Sequence, residues 1–286
     1  MPSSADELVE LLDLETIDLN LFRGIQPDSG LQRVFGGQVA AQALVAGART
    51  VDVALTVHSL HSYFLRPGDT AVPIVYDVER IRDGRSFSTR RVVARQHGRP
   101  IYFMTASFQT PESGLDHQDV MPAAPDPAEA VDMADLVRQR AGDAAGSWIK
   151  EWAVLELRVV GDSGRDGVLS GSTSPARSRL WLRVSGRLDD AALTHQAALT
   201  YASDLTLLGS TLVPHGLMIS APGLQAASID HTVWFHRPFR ADEWLLYDQV
   251  SPSASGGRGL ALGRLFTEDG RLVATVAQEG LIRVSD

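Results

Sequence analysis

The feature that most constrains this chain is that its sequence repeats itself. Short motifs of the first half recur in the second half: FLRP at 64–67 and FHRP at 235–238, GR at 84–85 and 257–258, and GR at 98–99 and 270–271. The offsets are 238 − 67 = 171, 257 − 84 = 173 and 270 − 98 = 172 residues. Because chance rarely gives three nearly equal offsets in so short a stretch, the chain is predicted to be a tandem duplication of one structural unit.

In each half, one apolar helix pattern precedes a series of strand patterns. The helix patterns are Gln38–Arg49 and residues 193–212, both free of proline. The strand patterns are runs of β-branched and aromatic residues separated by turn signals such as His97-Gly98 and Asp269-Gly270. Each half is therefore predicted to be α+β, with one long helix and an antiparallel sheet.

The remaining segments set the predicted boundaries. Ser4 and Glu7 have the spacing of a capping box and predict a short N-terminal helix. Residues 21–38 have the composition of a loop, and a short helix is predicted near Pro127–Arg140 within a proline-rich connection. The predicted units are an N-terminal unit at 1–112, a connecting segment at 113–147 and a C-terminal unit at 148–286.

Both long helices are too apolar to be exposed on more than one side. A single antiparallel sheet can bury such a helix by wrapping around it. Two wrapped sheets can then continue side by side, which removes one exposed edge from each. This is the arrangement that the duplication predicts.

Composition and charge exclude several functional classes. The 26 basic and 35 acidic side chains give a net charge of −9, which argues against binding to nucleic acid or to an anionic membrane surface. The absence of cysteine excludes thiolate zinc sites, iron–sulfur clusters and a cysteine nucleophile. The N-terminal residues lack a signal-peptide pattern, and no apolar run of about 18 residues occurs, so we expect no membrane span and a cytoplasmic location.

Long motifs in both halves resemble those of the acyl-CoA thioesterase II family. They are VFGGQVAAQAL (34–44), HSLHSYFLRPGD (58–69), RDGRSFSTRRVVARQ (82–96), DHTVWFHRPFRADEWLLY (230–247) and QEGLIR (278–283). The resemblance implies a tandem (double) hotdog fold and hydrolysis of fatty acyl-CoA to a free fatty acid and CoA. It also implies a water activated by an Asp, a hydroxyl residue and a Gln, with no covalent intermediate and no cofactor. A homodimer or homotetramer is expected.

Asp204 is the candidate base. Counted along a continuous helix, it points within about 20° of Leu193, on the apolar face. A carboxylate buried on an apolar face needs hydrogen-bond partners or a catalytic role, and the residues alone leave both open. The resemblance places the family's catalytic Asp at this position.

Gln278 and Ser228 complete the candidate catalytic group. Gln278 alternates with Val276 and Ala274, which places it on the apolar face of its strand, where a core amide is the competing interpretation. Ser228 stands where the family usually has Thr and keeps the hydroxyl. By itself, a serine there indicates only a solvated strand position. The equivalents in the first half, near Gln42 for Asp204 and near Ala106 for Gln278, carry neither group, so one site per chain is expected.

Other ligand contacts are less constrained by the sequence. Gly37 and Gln38 open the first helix, and their backbone amides are candidates for an oxyanion hole. Gly257 and Arg258 are candidates for contact with CoA, although a glycine-rich turn explains them equally well. His58 with His61, and His231 with His236, have spacings that put them on opposite faces of strands, so no metal site is expected.

Two alternatives to a thioesterase remain open. A hotdog hydratase acting on enoyl-CoA needs an Asp and a His placed together, and His215 lies too far after Asp204 for that family's compact motif. An acyl-CoA binding protein without turnover is the other alternative. Release of free CoA, detected with a thiol reagent, separates a thioesterase from both.

Overall fold

The computed structural model describes residues 1–142, 145–163 and 176–284. The first half contains α1 (Ala5–Leu12), β1 (Glu15–Asp18), β2 (Leu21–Gly24), α2 (Gly36–Ala48), β3 (Thr56–Phe64), β4 (Ile74–Asp83), β5 (Phe87–Gln96) and β6 (Arg99–Gln109). The remainder contains β7 (Val131–Asp132), α3 (Met133–Ala141), α4 (Ala145–Glu151), β8 (Leu155–Asp162), β9 (Ala176–Val184), α5 (Ala192–Ser203), a 3₁₀ helix (Leu207–His215), β10 (Leu224–Ser228), β11 (Asp230–Phe235), β12 (Leu245–Ser255), β13 (Arg258–Thr267) and β14 (Leu272–Val284).

All the strands of the described ranges belong to one antiparallel sheet with internal symmetry. Its order is β1-β2-β4-β5-β6-β3 in the first half and β11-β14-β13-β12-β9-β8-β7 in the second, with β10 added to β14. The halves meet where β3 pairs with β11, for example at Leu60 opposite Val233. The predicted α+β tandem hotdog, with its two sheets continued side by side, is confirmed. The duplication also includes β1 and β2, which β8 and β9 repeat.

The two long helices are buried between the halves of the sheet and against each other. In α2, every residue from Gly37 to Gly47 is buried, and alanine and glycine make up most of the helix. A Cβ on Gly37 would overlap the backbone carbonyl oxygen of Tyr201 in α5. Small side chains therefore allow the start of α2 to touch the last turn of α5.

Three local predictions were wrong, each because tertiary contacts set the boundary. Residues 21–38 are not entirely a loop, because Leu21–Gly24 forms β2, which pairs with β1 through a turn at Asn20, whose φ is 61°. The helix near Pro127–Arg140 begins only at Met133, where Asp132 accepts a hydrogen bond from the Ala134 amide.

The helix predicted over 193–212 ends at Ser203. The Ser203 hydroxyl donates to the Thr200 carbonyl at 3.2 Å, and the Ser203 carbonyl accepts from the Tyr247 hydroxyl at 3.1 Å. The next α-helical turn would need the Ser203 carbonyl oxygen as a hydrogen-bond acceptor. Because the Tyr247 hydroxyl already donates to this oxygen, α5 ends here and the chain continues as a 3₁₀ helix. Asp204 is therefore the C-cap residue of α5 and does not lie on the side of a continuous helix.

The connection between the halves lies against the outer face of the second half's sheet. Trp181 donates its indole N–H to the Pro125 carbonyl at 2.9 Å, and Gln118 donates to the Gly270 carbonyl at 2.8 Å. A second apolar cluster forms beneath it, separate from the main core; its buried members are Ala130, Trp181, Leu246, Phe266 and Leu272. The predicted unit boundaries at 112 and 147 stay a prediction. In the described part of the chain, no helix has the length and apolarity needed to cross a bilayer.

The close approach of α2 and α5 predicts that Gly37→Ala destabilises the fold. The added methyl group meets a backbone oxygen, so the two helices must separate, at a cost of about 1–3 kcal/mol in the free energy of unfolding. Urea unfolding followed by circular dichroism measures this loss. Gly114→Ala is the control, since its Cβ would meet nothing within 4 Å. Equal stability of the two variants would contradict the packing described here.

Candidate active site

The candidate site begins at the C-terminal end of α5 with Asp204. This residue is 9% exposed and follows directly on Ser203. A carboxylate there faces the negative end of its own helix, which is unfavourable. It must therefore be stabilised by groups from other elements.

Ser228 and Gln278 supply two of those groups. Gln278, on β14, donates from Nε2 to Asp204 Oδ1 at 2.5 Å and to Ser228 Oγ at 3.0 Å. Ser228, the last residue of β10, donates from Oγ to the same Asp204 oxygen at 3.3 Å. The structure thus brings the three predicted residues together in one hydrogen-bonded triangle. Gln278 is fully buried, and its Oε1 has no hydrogen-bond partner within the described residues.

The N-terminus of α2 lies against the other carboxylate oxygen. A Cβ built on Gly36 would be 2.7 Å from Asp204 Oδ2 and 2.9 Å from the Phe64 ring. The first intrahelical bond of α2 runs from the Val39 amide to the Phe35 carbonyl, and the Phe35 side chain does not cap the helix. The amides of Gly37 and Gln38 are therefore free to donate, as the first turn of any uncapped helix leaves them.

Phe64 was missed by the sequence reasoning, although it stands in one of the motifs that carried the resemblance. The Gln38 side chain does not take part, since its Nε2 donates to Gln26 Oε1 at 3.1 Å. The site thus combines a helix start and a ring from the first half with three polar side chains from the second.

Arg258 and Gly257 lie away from this triangle. Gly256 and Gly257 have φ of 57° and 75° and form the tight turn between β12 and β13. Arg258 is exposed and donates from Nε to Glu279 at 3.0 Å. Ala261, three residues later on the same strand, is buried and pairs with Gln278. Arg258 therefore lies on the face of the sheet opposite to Ala261. A contact of Gly257 or Arg258 with CoA stays a prediction.

Comparison with known proteins shows to which family the chain belongs. Residues 151–281 match the family model described as acyl-CoA thioesterase, and residues 26–109 match the acyl-CoA thioesterase N-terminal domain. The sequence is 40% identical to acyl-CoA thioesterase 2 of Haemophilus influenzae over the full length of both chains. This chain belongs to the acyl-CoA thioesterase family. It is therefore a thioester hydrolase by family.

Solved structures agree with this assignment. An acyl-CoA thioesterase II, TesB2, from Mycobacterium marinum is 48% identical, covers 98% of this chain and 99% of that chain, and superposes with a TM-score of 0.83. A conserved protein with a hot dog fold from Alicyclobacillus acidocaldarius is 22% identical, covers 98% of each chain and has a TM-score of 0.78, which supports the fold alone.

The helix of the enzyme's first half ends differently from that of the second. The C-cap of α2 is Arg49, whereas that of α5 is Asp204. The equivalence of Asp204 with a position near Gln42 stays a prediction; Gln42 lies mid-helix in α2, where it accepts from the Tyr76 hydroxyl at 2.7 Å.

The sheet of the first half also differs from that of the second at the strand positions equivalent to Gln278 and its neighbour. Ala106 pairs with Arg90, in the register in which Gln278 pairs with Ala261. Arg90 is 1% exposed, and its guanidinium donates to the hydroxyl of Thr50 at 2.7 Å and to its carbonyl at 2.9 Å. A buried arginine thus lies in the first half at the strand position that Ala261 holds beside Gln278 in the second.

Buried titratable groups surround Asp204. Burial raises the pKa of Tyr247 and of Tyr102 well above the ordinary value, so both remain neutral hydroxyls. Burial lowers the pKa of His231, and the charge of Asp204 opposes this only in part. His231 was not singled out as a site residue, although its alternation with buried Val233 and Phe235 places it on the inner face.

The lowered pKa of His231 predicts acid sensitivity. Below a pH of about 6.5, His231 binds a proton in the unfolded chain but not in the folded protein, where its pKa is lowered. The contribution of His231 to the free energy of unfolding is therefore complete above that pH and is lost as the pH falls below it. The free energy of unfolding should therefore fall less between pH 7.5 and pH 5 in His231→Gln than in the parent. Urea titrations at both pH values measure it, with exposed His117→Gln as the control. An unchanged pH dependence in His231→Gln would contradict the prediction.

Proposed function

We propose that the enzyme hydrolyses fatty acyl-CoA by direct attack of a water molecule on the thioester carbonyl, giving a free fatty acid and CoA. The triangle of Asp204, Ser228 and Gln278 carries this proposal, because it leaves acceptor atoms available on two hydrogen-bonded, buried side chains. Among the residues that the structure describes, the two hydrogen bonds to Asp204 use Oδ1, which leaves Oδ2 open, and Gln278 Oε1 is unpartnered.

These two acceptors can hold one water in an attacking orientation. The Gln278 amide must turn Nε2 toward the carboxylate, since a carboxylate only accepts, and this leaves Oε1 as the second acceptor. A water that donates to Asp204 Oδ2 and to Gln278 Oε1 keeps a lone pair for the carbonyl carbon. Asp204 takes the proton as the C–O bond forms, and returns it to the thiolate of CoA when the C–S bond breaks.

The charge that develops on the carbonyl oxygen needs a donor. The uncapped start of α2 supplies it in this proposal, through the backbone amides of Gly37 and Gln38 and the positive end of the helix dipole. Gly36 brings this helix end within contact of Asp204. The same helix end also offsets the unfavourable position of Asp204 at the end of α5.

Direct attack by water is favoured over a covalent route or hydration of a double bond. Ser228 Oγ donates its proton to Asp204 Oδ1 and accepts from Gln278 Nε2, so both its proton and a lone pair are engaged within the triangle. His231 is fully buried under Ser203, and His215 lies exposed at the end of the 3₁₀ helix, so neither histidine is placed to exchange a proton with a substrate beside Asp204. Thiol release should show no burst equal to the enzyme concentration.

Asp204→Asn is the decisive variant. It keeps the size of the side chain and removes the base, so turnover should fall on the order of 10²–10⁴-fold, with folding and acyl-CoA binding retained. Ser228→Ala and Gln278→Ala should each lose less, and their effects should not add, because the three residues hold one water. A thiol reagent follows CoA release across acyl chain lengths.

Two controls make this test specific. Asp6→Asn, on the exposed face of α1, should keep the parent rate. Parallel assays for loss of enoyl-CoA absorbance test the hydratase alternative. If folded Asp204→Asn hydrolyses acyl-CoA at the parent rate, the mechanism is wrong even though the family is right. If the parent binds acyl-CoA but releases no thiol, the proposed activity itself is wrong.

We also propose that the enzyme forms a homodimer or homotetramer. Each chain already pairs two units through β3 and β11, and closed symmetric assemblies are the usual way for such chains to associate further. Light scattering at micromolar concentration should give two or four times the mass of one chain, 30.9 kDa. A single species of 30.9 kDa would contradict it.

A further inference from the structure

A second polar network lies behind the triangle, and the proposed hydrolysis does not use it. It joins Ser203 on α5 to His231 on β11, Ser62 on β3 and Tyr247 on β12, and all four side chains are at most 1% exposed. Buried polar groups are costly unless they are paired, so a network at this position indicates a specific role.

The position of His231 ties it to the triangle. The register of β11 and β14 pairs Thr232 with Ala277, and its continuation by one residue sets His231 beside Gln278. On the other side His231 pairs with Ser62, whose hydroxyl donates to the His231 carbonyl at 2.6 Å. The imidazole ring therefore stands between both halves of the sheet, beneath the end of α5.

One hydrogen bond fixes the ring. His231 Nε2 lies 2.9 Å from Ser203 Oγ, and the single hydroxyl proton of Ser203 points to the Thr200 carbonyl at 3.2 Å. Satisfying both contacts requires Nε2–H of His231 to donate to Ser203. Nδ1 has no partner among the residues that the structure describes, so this bond is the ring's only polar anchor.

Ser203 is thus clamped from two sides. His231 donates to its hydroxyl, and Tyr247 donates to its carbonyl at 3.1 Å. Tyr247 is itself locked, because a Cβ on Gly263 would overlap its ring. The residue that follows this clamp is Asp204, so the clamp determines where α5 ends and where the carboxylate points.

We propose that His231 is a positioning residue for the hydrolysis proposed above: through its Nε2–H bond to Ser203 it holds the last turn of α5 and aims Asp204 at the attacking water. A displacement of about 1 Å in a catalytic group lowers turnover on the order of 10²-fold. Substrate binding does not depend on the clamp, so its loss acts on kcat and not on KM.

The test compares His231→Leu with His231→Gln. Leucine fills a similar volume without a hydrogen bond, and glutamine places an amide N–H near the position of Nε2. His231→Leu should lower kcat by about 10–100-fold, with KM within about twofold of the parent. His231→Gln should keep kcat within about threefold of the parent, because it retains the donor.

Ser203→Ala tests the partner with a smaller change. It removes one oxygen and should reproduce the loss of kcat seen in His231→Leu, and the double variant should lose little more than either single one. If the losses multiply, or if glutamine and leucine are equally impaired, or if the loss lies in KM, His231 does not act through Ser203. If His231→Leu does not fold, Ser203→Ala and His231→Gln decide by the same criteria.

The outcome is separable from the hydrolysis mechanism. If Asp204→Asn is inactive while His231→Leu and Ser203→Ala keep the parent kcat, the positioning role is wrong and the mechanism stands. If Asp204→Asn keeps the parent rate, the mechanism fails first, and a role in aiming Asp204 fails with it.

Discussion

The contact between the start of α2 and the last turn of α5 is the constraint on which the rest of the structure depends. A helix start carries partial positive charge and a helix end partial negative charge, so a carboxylate at the end of α5 is stable only if another group compensates it. Gly36 and Gly37 allow α2 to come close enough, since a side chain at either position would meet Asp204 or Tyr201. The same approach buries both helices against each other and forms the candidate site.

Although the fold is duplicated, the two halves differ beside this contact. The pairing of β3 with β11 relates the two halves, yet Arg90 stands in the first half at the strand position that Ala261, the partner of Gln278, holds in the second. A buried arginine with well-paired N–H groups stabilises the first half without chemistry. The candidate site therefore draws on both halves: the first contributes a helix start, and the second contributes the polar side chains.

Much of this was predictable from sequence because it depends on local pattern. Equal offsets revealed the duplication, strand alternation placed Gln278 on the inner face, and the motifs directed attention to Asp204 and Ser228. The end of α5 was not predictable, because Tyr247, distant in sequence, takes the Ser203 carbonyl. Nor were the approach of Gly36 to Asp204 and the contact of His231 with Ser203, because both arise only when elements distant in sequence come together.

The pairing of the two halves within one chain also affects how the site assembles. A protein built from two separate single-unit subunits would lose such a site on dilution, because its helix start and its carboxylate would be on different molecules. Here a covalent connection keeps them at a fixed and high effective concentration. The site is therefore completed when a single chain folds, and the rate constant of this step does not depend on the protein concentration.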